Sequence, residues 1–113
     1  MDENVEKLIY DIAACINRIE EYVKGMTQDE FMIDMRTKQA VERNFEIIGE
    51  AVNRIKNIDE MIVTMIRDHQ KIIGFRNQII HGYDMIADPI TWDIIVNKLP
   101  MLKQDLEKIS NIA

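Results

Sequence analysis

The chain has 113 residues, 47% of them hydrophobic and 30% charged, with a formal net charge of −6 at pH 7. That length and apolar content suit one domain, residues 1–113, with one ordinary core, and they exclude a disordered chain. The acidic balance argues against general, charge-driven nucleic-acid binding, and four Gly with two Pro leave little room for a turn-rich β fold.

The first segment, Asp2 to Lys24, carries apolar residues at Val5, Leu8, Ile9, Ile12, Cys15, Ile16, Ile19 and Val23, one continuous helical stripe. Gly25 follows as a C-terminal cap. Cys15 lies inside the stripe and reads as a small core residue, not a nucleophile. Thr27-Gln28-Asp29-Glu30 has the form of a capping box and predicts a short turn of helix through Phe31 and Met32. Asp34 can cap a second long helix running to about Ile55, with the stripe Val41, Phe45, Ile48, Val52 and Ile55, and with Met35 near its start. Gly49 interrupts this helix at a cost of roughly 1 kcal/mol against Ala, which points to close helix packing there. Glu50, beside it, is either a solvated charge or a partner that orients Arg76.

Asp59 is an N-cap candidate for a third helix, from about Glu60 to His81, with Met65, Ile72, Phe75 and Ile79 on its core face. Gly74 weakens it, so a bend is expected there. Asp88-Pro89 opens the last segment, Asp as cap and Pro at the first helical position. Ile90, Ile94, Ile95, Leu99, Leu102, Leu106 and Ile109 point inward, and Pro100 should kink or divide the helix near Val96–Leu99. The expected fold is all-α: an antiparallel four-helix bundle with a short extra helix and a kinked last helix.

No apolar run approaches the ~18 residues of a membrane span, and Met1-Asp2-Glu3-Asn4 lacks the basic start of a signal peptide. A lone Cys15 excludes an internal disulfide, and no Cys/His spacing resembles a zinc site, so neither metal nor cofactor is expected. A soluble, cytoplasmic protein without membrane contact is the simplest expectation.

The chemistry gathers in Gly74-Phe75-Arg76-Asn77-Gln78-Ile79-Ile80-His81-Gly82-Tyr83, which holds one of only two histidines. Arginine is a permanent cation suited to phosphate, and histidine is the side chain whose proton moves near neutral pH. The same pair near a helix C-terminus can instead simply satisfy the last carbonyls and the helix dipole. At about 100° per residue, His81 lies roughly 140° around the helix from Arg76, while Asn77 and His81 are stacked neighbours. From Arg67 to His81 three cations (Arg67, Lys71, Arg76) face one acid, Asp68, so this window carries +2. His69 shares the face of Arg76 and reads as an exposed histidine. Trp92 can stack on a base, but a Trp early in an amphipathic helix is more often core or interface.

Arg76-Asn77 followed by His81-Gly82-Tyr83 resembles the signature of the HEPN superfamily, and more narrowly of the HepT-like toxins. Ile47-Ile48-Gly49-Glu50-Ala51 is similar to a segment of that family's second long helix. Thr91-Trp92-Asp93-Ile94-Ile95 with Leu99-Pro100-Met101-Leu102 is similar to its closing helix, so the likeness covers nearly the whole chain.

The resemblance implies a metal-independent endoribonuclease acting on tRNA or mRNA as a homodimer or higher even oligomer, with both motifs lining a shared groove. It makes His81 the proton-transfer residue, Arg76 the phosphate and transition-state stabiliser, and Asn77 their orienting neighbour. It also implies a minimal nucleotidyltransferase antitoxin that adds AMP to Tyr83. Such cleavage needs a base, a cation and a proton donor, so two copies of the pair make a fuller set than one. The competing expectation is a non-catalytic helical scaffold or nucleotide-binding subunit working with a nucleotidyltransferase, which the acidic net charge favours.

Overall fold

The structure, a computed structural model, describes residues 1–81 and 88–112. Four long helices build it: α1 (Glu3–Val23), α3 (Met35–Ile58), α5 (His69–His81) and α7 (Leu99–Ile112). Short helices lie between them: α2 (Gln28–Ile33), α4 (Glu60–Thr64) and α6 (Asp88–Asp93), the last running into α7 through a π-helical turn at Ile94–Lys98. No strand occurs among the described residues. This is the all-α antiparallel bundle expected, with α3 packed along α1 on one side and α5 on the other.

Local signals set the helix starts. Asp2 Oδ1 accepts from the backbone N–H of Asn4 and Val5, and Asp34 and Asp59 accept from Thr37 and Ile62 in the same way. Thr37 donates twice to Asp34, through its backbone N–H and its hydroxyl, and holds that carboxyl below its ordinary range. Thr27 and Glu30 close a reciprocal capping box at α2. Gly25, at φ +75°, carries the chain out of α1 in a left-handed conformation that a side chain would resist. The predicted stripes are the core: Val5, Ile12, Ile16 and Ile19 of α1 meet Val41, Ile48, Val52 and Ile55 of α3, and Leu99, Leu102, Leu106 and Ile109 close the bundle from α7.

The third helix departs from expectation. It is two helices, broken over residues 65–68, and it runs without interruption through Gly74. The break is held from afar. Asp105, whose side chain is only 3% exposed, accepts from the Arg67 backbone N–H at 2.9 Å and from Arg67 Nε at 3.0 Å. An N–H committed to a carboxylate cannot join the helical ladder, and the next residue, Asp68, turns left-handed at φ +58°. Asp105→Ala strands that N–H and the half-exposed guanidinium. A loss of about 2 kcal/mol is expected, with the Arg67 share discounted for exposure, and urea unfolding reads it.

Two smaller corrections concern side chains. Met35 and Ile90 are exposed, not inward; Thr91 is buried in place of Ile90, and Trp92 packs its ring on Phe31 at 5.3 Å between centroids. Ile72, Phe75 and Ile79 are half-buried against the core, whose deep positions at this level are Val63 and Ile66. Pro100 acts as predicted. It lacks a donor, and just before it the helix widens to a π turn in which the Leu99 N–H reaches Ile94 O.

Candidate functional site

Helix α5 crosses α3 at Gly49, and this contact places the site. A Cβ built on Gly49 would lie 2.2 Å from Arg76 Cβ and 2.7 Å from Arg76 Cγ, so only glycine lets the Arg76 stem lie flat on α3. The guanidinium is then directed along α3 to the next residue. Arg76 Nη2 pairs with Glu50 Oε2 at 2.9 Å, and Nη1 donates to Asn77 Oδ1 at 3.0 Å. Glu50 is thus the orienting partner of Arg76, not a free solvated charge. Its other oxygen accepts from Arg54 Nε at 3.1 Å, so one carboxylate bridges two arginines. Arg76 Nε is buried and meets no acceptor among the described residues.

Around this group lies an open depression of about 290 Å³ between α1, α3 and α5. Arg43, Arg54 and Arg76 line it together with Asp11, Glu46 and Glu50, over an apolar floor that includes Ile47 and Ile80. Arg43 and Arg54 had no role assigned on the sequence. Their spacing from Glu46 and Glu50, three and four residues, was the signal that they share one face of α3.

His81 is the last residue of α5, exposed, and does not line the depression. The structure therefore joins Arg76, Asn77 and Glu50, while His81, one turn beyond Asn77, makes no hydrogen bond or ion pair with them among the described residues. Tyr83 lies outside the described residues. The expected +2 window is also changed by the fold. Arg67 pairs with Asp105, Lys71 lies 3.9 Å from Asp68, and Arg76 pairs with Glu50, so no uncompensated basic patch forms there.

The segment following the motif is tied back to the bundle by a residue the sequence did not single out. Lys38, buried, donates to Met32 O at 3.1 Å and to Asp88 Oδ2 at 3.0 Å. Nearby, burial first and the Asp88 charge second push the Glu42 carboxyl above its ordinary range. The folded state therefore binds this proton more readily than the unfolded chain. Ionisation of Glu42 works against the fold, an opposition absent below the ordinary carboxylate range and growing as pH rises through the raised one. Glu42→Gln is expected to melt higher than wild type at pH 7 and to match it at about pH 3.5, by calorimetry at both pH values.

Other candidates resolve simply. Cys15 is buried, and burial pushes its thiol up, so it is an inert core group. His69 is half-buried, with Nδ1 3.3 Å from Ile66 O. Trp92 is a packing residue on Phe31. Among the described residues no group of His, Cys, Asp and Glu could hold a metal, and no helix is long and apolar enough to cross a membrane.

The model of the Ribonuclease HepT-like family matches residues 12–109. A Methanocaldococcus jannaschii protein that carries a provisional RNase name is 35% identical over 95% of this chain and 88% of its own. A second from that organism, similarly named, is 31% identical over 94% of this chain and 90% of its own. A Thermococcus cleftensis protein provisionally named ribonuclease HepT is 30% identical over 96% and 98%. No solved structure matches the chain significantly. With that family's model covering residues 12–109 and relatives 30–35% identical over nearly the whole chain, the chain belongs to the HepT-like ribonuclease family.

Proposed function

We propose that the protein is a metal-independent endoribonuclease, the toxin of a toxin–antitoxin pair, cleaving tRNA or mRNA in the cytoplasm as a homodimer or higher even oligomer. The observation that carries this is the state of Arg76: its guanidinium is oriented by Glu50 and Asn77 and lines an open depression. A fixed, part-buried cation of this kind suits the charge that builds on phosphorus.

In the reaction, the ribose 2′-oxygen attacks phosphorus and the bond to the 5′-oxygen breaks. His81 takes the 2′-hydroxyl proton, and the leaving oxygen receives one from the second His81 of a dimer. Products are a 2′,3′-cyclic phosphate and a 5′-hydroxyl. A dimer groove would also remedy the separation of Arg76 and His81 within one chain. Tyr83, two residues past His81, would be the residue to which a minimal nucleotidyltransferase antitoxin adds AMP, closing the groove with bulk and negative charge.

The pairing of Arg67, Lys71 and Arg76 with carboxylates favours a second reading, a non-catalytic scaffold for a nucleotidyltransferase. Incubating purified protein with total tRNA in EDTA decides between them, once mass spectrometry has shown Tyr83 unmodified. Cleavage with cyclic-phosphate ends, abolished in Arg76→Ala and in His81→Ala, supports the ribonuclease. An unmodified, folded and inactive wild type supports the scaffold.

A further inference from the structure

A second cavity, of about 180 Å³, takes a different face of α5 from the one that presents Arg76. Phe45 and Phe75, edge to face at 5.2 Å, form one wall, and Ile72, Leu99 and Leu102 complete an almost wholly hydrocarbon lining. An apolar cavity of about 150 Å³ accepts benzene, so this one has room for a single ring or a branched acyl chain.

Two departures from regular helix border it: the break before α5, with its left-handed Asp68, and the π turn that supplies Ile94 and Lys98. A strained non-glycine residue and a π turn are both enriched where ligands bind, and here they meet at one opening. The charges at that opening have a sign. Arg67 is committed to Asp105, and Lys71 is held only loosely, 3.9 Å from Asp68. Lys98 pairs with no carboxylate among the described residues. One cation is left in excess, and the first turn of α5, a helix of 13 residues, adds its positive end.

We propose that this cavity binds a small organic anion, an aryl or branched-acyl carboxylate, with its apolar body against Phe45 and Phe75 and its carboxylate between Lys71 and Lys98. A nucleobase is a poorer occupant, because its ring nitrogens and exocyclic groups would be buried against hydrocarbon without partners. An amine is opposed by the rim. The site is separate from the arginine depression, so it stands whether or not the protein cleaves RNA.

The test is a titration of the 15N-labelled full chain with phenylacetate, 2-phenylethanol and 2-phenylethylamine, read by amide chemical shifts. Saturable shifts at Ile72, Phe75, Ile94 and Leu102 are expected with phenylacetate, with a dissociation constant on the order of millimolar for about ten heavy atoms. The acid should bind about threefold tighter than the alcohol, the size of one part-exposed charge pair, and the amine weakest. In Lys98→Gln, which removes the one cation in excess, the acid should fall to the affinity of the alcohol while the alcohol keeps its own. In the double variant Lys71→Gln/Lys98→Gln, which leaves Asp68 uncompensated, the acid should bind more weakly than the alcohol. No saturation at these residues, shifts scattered over the surface, or equal affinity for all three probes overturns the proposal.

Discussion

Replacing His81 by alanine is expected to slow metal-independent RNA cleavage roughly 10²–10⁴-fold, the usual contribution of a positioned acid or base. Arg76→Ala should lose about 10²–10³-fold, the cost of removing one transition-state donor. Neither loss should come from unfolding. His81 is exposed at a helix end, where a substitution stays within about 0.5 kcal/mol. Removing Arg76 leaves Glu50 still paired with Arg54 on a part-exposed face, worth at most about 1 kcal/mol. Thermal melts of both variants check this directly.

A mixing experiment then locates the partner of each group. Within one chain His81 does not line the Arg76 depression, so a meeting of the two across an interface is the arrangement to test. Arg76→Ala and His81→Ala proteins, each inactive, should regain a small part of the activity when unfolded and refolded together, because a mixed dimer holds one Arg76 and one His81 but lacks the second His81 that protonates the leaving oxygen. Mixtures as dead as their components would reject the shared groove. Arg76→Lys tests geometry in the same assay: it keeps the charge but loses the planar fork that reaches Glu50 and Asn77 at once, and activity should fall with it.

The second large effect is on stability. Gly49→Leu is expected to cost at least about 3 kcal/mol, at the upper end of overpacking losses. The steric loss has to outweigh one opposing term, a gain of up to about 1 kcal/mol because leucine is a better helix former than glycine. Even the first added carbon meets Arg76 Cβ at 2.2 Å, an atom fixed to the α5 backbone, so α5 itself must move off α3. Gly74→Ala is the control. It is also a helical glycine, but a Cβ there meets nothing within 4 Å, and the substitution should stabilise by up to about 1 kcal/mol. Urea unfolding of both variants reads the contrast; equal effects would mean that Gly49 is no contact point. Gly49→Leu should also uncouple Arg76 from Glu50 and lower cleavage beyond what its folded fraction explains.

Much of this was legible before any coordinates, and the reasons are local. Asp2, Thr27, Asp34 and Asp59 each satisfy an N–H within three residues, so a short reading frame shows where the chain enters a helix. The stripe through Val41, Phe45, Ile48 and Val52 could only face inward, and Gly49 within it could only mean a close neighbour. Arg76 and His81 stood out because few residue types can hold a phosphate or move a proton, and their angular separation on α5 followed from the helix repeat alone.

What pattern alone could not supply comes from pairings between distant residues. Periodicity carried the third helix straight through Arg67, because the group that breaks it there, Asp105, lies 38 residues away. Lys38 looks like any surface lysine until Asp88, 50 residues on, is packed beside it. The +2 window likewise lost its meaning only when Asp105 and Glu50 came across from other helices. Helix positions, caps and core faces are properties of short segments, and the order of the residues decided them. The ion pairs that break α5 from α4, fix Arg76 and set the sign of each surface form only when helices dock, so the tertiary structure alone decided those.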